Sequence, residues 1–266
     1  LFLMAVDPNI LPPEMKAAVT NRGKHRSWRD SFLLLLLSIR GNRYTTKALV
    51  DLYFKIATPF TYLNLWRLRW FPKNYASPVK INLGSGPQYL PGFLNIEGMF
   101  AWKKDLWIDV RQGLPFKNGS VDVIYSCHVF EHFDLDTLRR IMRECYRVLK
   151  PGGHIRIVTP SLAKAIEAYQ RKDLAWFAKG ADSPLKSMGA RFNDLMLCQN
   201  HHLVLPDFDF FEELFNDIGP WEKLWEGNAE TSTALTHEEL ALAESSRKDV
   251  INSSLILEGR KAGPPK

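Results

Sequence analysis

An α/β domain with a mostly parallel sheet is the fold class this sequence predicts, and three observations carry it. From Val79 onward, short β-like runs alternate with turns and helical stretches. One helical stretch, Asp136 to Leu149, lies between two such runs and forms a β-α-β unit. The first run, Lys80–Leu83, ends on Gly84-Ser85-Gly86, which places a pliant backbone at the carboxyl edge of a sheet, where open α/β folds bind ligands.

Residues 1 to 30 carry Pro8, Pro12, Pro13, Gly23 and scattered charge without an apolar period, and read as an extended arm. From Ser31 to about Trp70 the pattern is helical, with Leu49, Leu52, Tyr53 and Ile56 recurring every three or four residues; Pro72 and Pro78 punctuate the entry to the next unit. Strands are expected at Lys80–Leu83, Phe93–Ile96, Trp107–Val110, Val121–Tyr125, His154–Val158 and Ser254–Glu258. In the helix before the fifth strand, Leu138, Ile141, Cys145 and Val148 line one face, and Lys150-Pro151-Gly152-Gly153 is expected to stop the helix and turn the chain. Further helices are expected from Leu162 to Ala178 and from Asp207 to Asp217, the latter capped by Asp207 or Asp209 and stopped by Gly219.

Charge is unevenly spread. Residues 1 to 80 hold 13 Lys/Arg against 4 Asp/Glu, a surplus of +9, whereas the whole chain carries only +6. That field attracts anionic partners: phosphorylated substrates, lipid headgroups or nucleic acid. Three widely spaced cysteines, Cys127, Cys145 and Cys198, suggest neither a disulfide framework nor a zinc site, and fit a reducing cytoplasm. The longest apolar run, Phe32–Leu37, is far short of the roughly 20 residues needed to span a bilayer, so no transmembrane segment or signal peptide is expected.

A glycine pair alone is weak evidence for a cofactor site. A dinucleotide fingerprint requires G-x-G-x-x-G, and Tyr89 stands at the sixth position, which disfavours NAD. Eleven residues after Gly86, at the end of the second strand, Glu97 offers a carboxylate for the two ribose hydroxyls of a nucleoside. Only Pro87 to Gly92 separate the glycines from that strand, so the first crossover is a single turn or an open loop.

Four segments then fall in a recognisable order: Lys80–Gly86 with Glu97; Asp109-Val110-Arg111-Gln112-Gly113-Leu114-Pro115-Phe116; Ile124-Tyr125-Ser126-Cys127-His128-Val129-Phe130-Glu131-His132-Phe133; and Arg147-Val148-Leu149-Lys150-Pro151-Gly152-Gly153. Together they resemble a class I S-adenosylmethionine-dependent methyltransferase, closest to the branch with Leu-Pro-Gly (Leu90-Pro91-Gly92) before the second strand. The resemblance implies a seven-stranded, doubly wound Rossmann-like methyltransferase fold over residues 75–262, with residues 1–74 as a basic, mainly helical extension that covers or helps form the substrate mouth. It also implies S-adenosylmethionine as cofactor, held by Asn82, Gly84, Ser85, Gly86, Glu97, Asp109, Val110, Ser126 and His128, with Asp109 meeting the exocyclic amine of adenine. Members often act on small molecules or sugars, so transfer to an oxygen or nitrogen of a small or sugar-like acceptor is expected.

Methyl transfer needs orientation above all, and a base only where the nucleophile holds its proton tightly. His128, His132 and His201 are the candidates on the acceptor side, and Asn200-His201-His202 resembles that branch's substrate-side segment. A structural role for His132 and Glu131, fixing the loop, is the competing reading. The His201-His202 pair with His128 invites a metal, but no carboxylate or cysteine stands at a regular ligand spacing, and no metal is expected. Tyr62 to Phe71 interleaves aromatic and basic residues in a manner that suits a peripheral membrane contact or a lipid-linked substrate, against the plainer reading of a helix packed on its own domain. Nucleic acid is not expected as a partner, because Ser126-Cys127-His128-Val129 stands where a base-flipping enzyme would carry an Asn/Asp-Pro-Pro-Tyr-like motif. A methyltransferase fold that binds cofactor without turnover is the rival from another class.

Overall fold

The computed structural model describes residues 43–70, 75, 77–100, 102–178, 186–198, 201–244 and 248–263. The Phe32–Leu37 run, the arm at 1 to 30, the start of the first helical stretch, Pro72 and Asn200 lie outside the described residues. Seven strands form one sheet: β1 (Lys80–Leu83), β2 (Leu94–Glu97), β3 (Leu106–Trp107), β4 (Val121–Cys127), β5 (Leu149–Pro160), β6 (Trp221–Glu226) and β7 (Ser254–Lys261). Their order across the sheet is β3-β2-β1-β4-β5-β7-β6. The first five strands run parallel, and β7 is inserted antiparallel between β5 and β6. The sheet is therefore mixed, mostly parallel and doubly wound.

Both faces of the sheet are buried, which explains why its strands read as near-continuous apolar runs. Side chains alternate between the two layers: Ile155 and Ile157 of β5 and Leu255 and Leu257 of β7 join one core, while Val158 and Ile256 join the other. The first core is covered by α1 (Arg43–Trp70), α2 (Leu135–Val148) and, later in the chain, α6 (Phe208–Ile218); the second is closed by α7 (His237–Glu244) and by Ile251 of α8 (Lys248–Ser253). A third cluster joins α3 (Leu162–Gln170), α4 (Leu174–Ala178) and α5 (Met188–Leu197) around Phe177 and Met196.

Several expectations need correction. The third strand is only Leu106–Trp107; Asp109 instead caps a 3-10 turn, Val110–Gln112, by accepting the Arg111 amide at 3.0 Å. Such a local side-chain bond competes with an extended ladder. Lys150–Gly153 is not a turn between helix and strand: β5 begins at Leu149, and the pairing jumps from Val121–Leu149 to Val123–His154, so these residues bulge, with Gly152 at φ 77°. The helix expected over Leu162–Ala178 breaks at Lys172, which sits at φ 57° between α3 and α4. The helix expected to about Trp70 ends there as α1; Leu52 and Ile56 of its recurring apolar residues are exposed, and Val50, Ala57, Thr61, Leu65 and Leu68 are buried.

Other expectations hold. Leu138, Ile141, Cys145 and Val148 of α2 are fully buried. Asp207 caps α6 by accepting the Phe210 amide at 2.9 Å. Gly219 ends that helix for reasons of space, since a Cβ there would lie 2.6 Å from the Tyr146 ring. Between β1 and β2 the chain is an open loop without a helix.

Candidate active site

The order of strands reverses between β1 and β4, and the crevice outside their carboxyl ends is where an open α/β sheet takes its ligand. Gly84 leaves β1 at φ 67°, and a Cβ on it would lie 2.5 Å from Val129 Cγ2. Gly86, at φ 55°, donates its amide to Glu97 Oε2 at 2.7 Å, and the Met99 amide donates to Oε1 at 2.7 Å. The end of β2 is thus tied to the glycine loop through one carboxylate. Burial pushes that carboxyl up from its ordinary value, against the downward pull of the two amides.

A pocket in this crevice is walled by Gly84, Glu97, Asp109, Val110, His132 and His201. These are six of the residues expected from sequence, drawn from separate stretches of chain. Val50, Asp51 and Phe54 of α1 also line it. That helix is anchored beside it: Tyr53 donates its hydroxyl to Gly98 O at 2.9 Å and accepts the Phe100 amide at 2.8 Å, while Asn64 donates to Trp107 O at 2.8 Å. Asp109 is 4% exposed and held by the Arg111 guanidinium in a two-point pair, Nε to Oδ1 at 2.9 Å and Nη2 to Oδ2 at 2.6 Å, with Arg111 stacked over the Phe54 ring.

The other expected residues stand off this wall. Asn82 is a buried strut, donating to Asn95 Oδ1 at 3.0 Å and Gln88 O at 3.3 Å. Ser126 donates to Leu83 O. Ser85 and Gly86 do not line the pocket, and the buried Ser85 hydroxyl has no hydrogen-bond partner. His128, at φ 56°, directs Nδ1 to Glu131 Oε1 and Nε2 to Ser254 Oγ, both at 3.0 Å. Phe54 and Arg111 were missed. Arg111 stands two residues after Asp109 and had a visible signal; Phe54 had none, because nothing local fixes the register of α1 against the sheet.

Glu131 lies at the centre of a histidine cluster. It is fully buried, accepts from His128 and from Thr159 Oγ1, and its backbone oxygen accepts the Leu203 amide at 2.7 Å. Burial would push its carboxyl up; the His128 hydrogen bond and the neighbouring imidazoles hold it down at about 2. Burial depresses His132 to about 4 and lowers His202.

Part of the chain is similar to known proteins. Residues 103–157 match the methyltransferase-domain family. These matches support a class I S-adenosylmethionine-dependent methyltransferase. A probable S-adenosylmethionine-dependent methyltransferase of Mycolicibacterium smegmatis is 33% identical over 88 residues, 32% of this chain and 29% of that protein. An N-methyltransferase, verN, of Clonostachys rogersoniana is 30% identical over 70 residues, 26% of this chain and 23% of that one. The chain thus matches less than a third of the length of these curated relatives. Among solved structures, an S-adenosylmethionine-dependent methyltransferase from Archaeoglobus fulgidus is similar with a TM-score of 0.44 and 13% identity, over 86% of this chain and 99% of that one. The matched stretch runs from the loop before β3 into β5 and includes Asp109, Ser126, His128 and His132.

Proposed function

We propose that the protein binds S-adenosylmethionine in the β1/β4 crevice and transfers its methyl group to an oxygen or nitrogen of a small or sugar-like acceptor. The observation that carries this reading is the convergence of Gly84, Glu97 and Asp109 with His132 and His201 on one pocket. The residues fit the cofactor: a Gly84 backbone on the wall at φ 67° where no side chain has room, an unpartnered buried Ser85 hydroxyl next to it in the chain, and two buried carboxylates suited to ribose hydroxyls and an adenine amine. When bound, the cofactor supplies a methyl group on an electrophilic sulfonium. The chain's own work is positional. Glu97, fixed by two amides, holds the ribose; Asp109 and Arg111 border the adenine end; Val50 and Phe54 of α1 keep water from the pocket; His132 and His201 face the acceptor, and His201 takes the acceptor's proton where one must leave.

Calorimetry with S-adenosylmethionine and S-adenosylhomocysteine tests the site. Gly84→Val, Glu97→Ala and Asp109→Ala are each expected to weaken binding at least tenfold, about 1.4 kcal/mol. If all three bind as the wild type does, the site is wrong.

A second observation supports a peripheral membrane contact. On α1, Leu52, Ile56, Phe60, Leu63, Trp66 and Trp70 are all more than half exposed and recur at helical spacing, with Trp66 and Trp70 5.5 Å apart and Arg67 and Arg69 beside them. An apolar stripe with tryptophans at one end and a basic surplus of +9 over residues 1 to 80 suits an anionic lipid surface. Among the described residues no helix is long and apolar enough to cross a membrane.

A further inference from the structure

Three ligand-type atoms meet at the edge of the pocket, and of their residues the methyl-transfer reading uses only His132. Glu131 Oε1 lies 3.9 Å from His132 Nε2 and 4.0 Å from His202 Nε2, and a ligand atom from each of the three residues lies within 4.8 Å of the others. The side chains are 0%, 6% and 7% exposed. The residues arrive from two directions: Glu131 and His132 from the 3-10 turn Phe130–His132 after β4, and His202 from the segment before α6, which the Leu203 amide stitches to Glu131 O.

The hydrogen bonds around the cluster give it a direction. His132 Nδ1 contacts His201 O at 3.0 Å, and His202 Nδ1 contacts Met196 O at 2.9 Å. A carbonyl oxygen only accepts, so each Nδ1 must carry a hydrogen, and each neutral ring then presents its lone pair at Nε2. Both lone pairs are turned to one carboxylate oxygen. Electron pairs facing a carboxylate repel it, and at 3.9 to 4.0 Å neither ring hydrogen-bonds to it directly. Imidazoles that give the remote N–H to a backbone carbonyl, with a carboxylate itself held by donors, are the outer shell that orients metal ligands. Glu131 has such donors, His128 Nδ1 on Oε1 and Thr159 Oγ1 on Oε2.

We infer that Glu131, His132 and His202 form a three-ligand site for a borderline divalent cation of the Zn²⁺ class. Two imidazoles and one carboxylate make a donor set for Zn²⁺, Co²⁺ or Fe²⁺, whereas Ca²⁺ and Mg²⁺ require mostly oxygen. Ligands about 2.1 Å from a tetrahedral ion stand about 3.4 Å apart, so closure asks for a contraction of about half an ångström along the two carboxylate edges. The cation offsets the buried charge of Glu131 and staples the His201–Pro206 segment to the end of β4. It occupies the His132 lone pair, leaving His201 as the acceptor-side base. The regular spacing sought in the sequence was absent because 70 residues separate His132 from His202.

The test uses the full, untagged chain, stripped with a chelator and titrated with Co²⁺, with Zn²⁺ as competitor. The wild type should take up one equivalent with visible d–d absorption that Zn²⁺ abolishes, and Glu131→Gln and His202→Ala should each weaken Co²⁺ binding at least tenfold while circular dichroism shows a folded chain. X-ray absorption of the Zn²⁺-loaded wild type, which requires no variant to fold, should show two imidazole ligands and no sulfur. Failure of the wild type to bind one equivalent, sulfur or non-histidine ligation, or undiminished binding by both folded variants would overturn the site. The cofactor calorimetry above reads a separate equilibrium, so either proposal can fail alone.

Discussion

Gly84 shows how much one residue without a side chain controls at this site. Its φ of 67° belongs to the left-handed region, and Val129 fills the place a Cβ would take. Any other residue there meets two separate costs: backbone strain of about 1 kcal/mol and a steric clash with the side chain just beyond β4. Gly84→Ala is therefore expected to lower stability by about 1–3 kcal/mol, read by denaturant titration. Adding Val129→Ala should return the steric share and leave the strain, so the double variant falls between Gly84→Ala and Val129→Ala alone corrected for its lost methyls. Strict additivity of the two changes would show that the contact carries no energy. The glycine itself was readable in the sequence as the end of a strand. Its need for space was not, because Val129 lies 45 positions further along the chain.

At the scale of elements, what could be read was what local rules determine. The α2 stripe, the Asp207 cap and the open loop between β1 and β2 all arise from contacts within a few residues, and each stands where the sequence placed it. Asp207→Ala should accordingly cost about 1 kcal/mol, lowering the midpoint of thermal unfolding by a few degrees. The register of α1, the bulge in β5, and the strand β6 were not readable, since each is decided by partners far along the chain. The same holds within the site: the Gly84 and Glu97 positions were visible as strand ends, whereas the place of Asp109 as the cap of a 3-10 turn, the wall contributed by Phe54 and the use of His128 as a support for Glu131 required the fold. In α1 the periodicity announced the helix but not which face packs: Leu52 and Ile56 lie on the side left outside, and that outer stripe is what leads to the lipid proposal. In flotation with anionic vesicles the full chain is expected to rise with the lipid, and Trp66→Ser with Trp70→Ser to lose at least half of that binding; a wild type that stays at the bottom of the gradient refutes the contact.

Across the whole molecule, one buried ion triad joins the reversed strand to the rest. Arg156 of β5 is 0% exposed; its guanidinium takes Glu244 of α7 in a two-point pair at 2.8 and 2.9 Å and Glu258 of β7 at 2.8 Å, with Asn228 O at 2.9 Å. Glu258 also receives Ser232, and Thr233 at 2.8 and 3.0 Å through its hydroxyl and amide. Burial raises the Glu258 carboxyl, but these donors and Arg156 outweigh it and hold the group below its ordinary value of 4.5. A carboxyl depressed in the folded state contributes stability that is complete above the unfolded value and is lost as pH falls through the folded one. The wild type should therefore hold its stability down to about pH 4.5 and lose it below. Arg156→Met removes the cation and leaves two carboxylates, Glu244 and Glu258, buried without it, a change expected to cost about 3–5 kcal/mol at pH 7. Without Arg156 the Glu258 carboxyl moves upward and protonates sooner, which relieves the variant before it affects the wild type. The difference in stability between the two should hence be greatest at neutral pH and narrow as pH approaches 4.5. Denaturant titrations of both proteins across that window measure it directly, and a difference that stays constant with pH would mean that Arg156 acts there by packing rather than by charge.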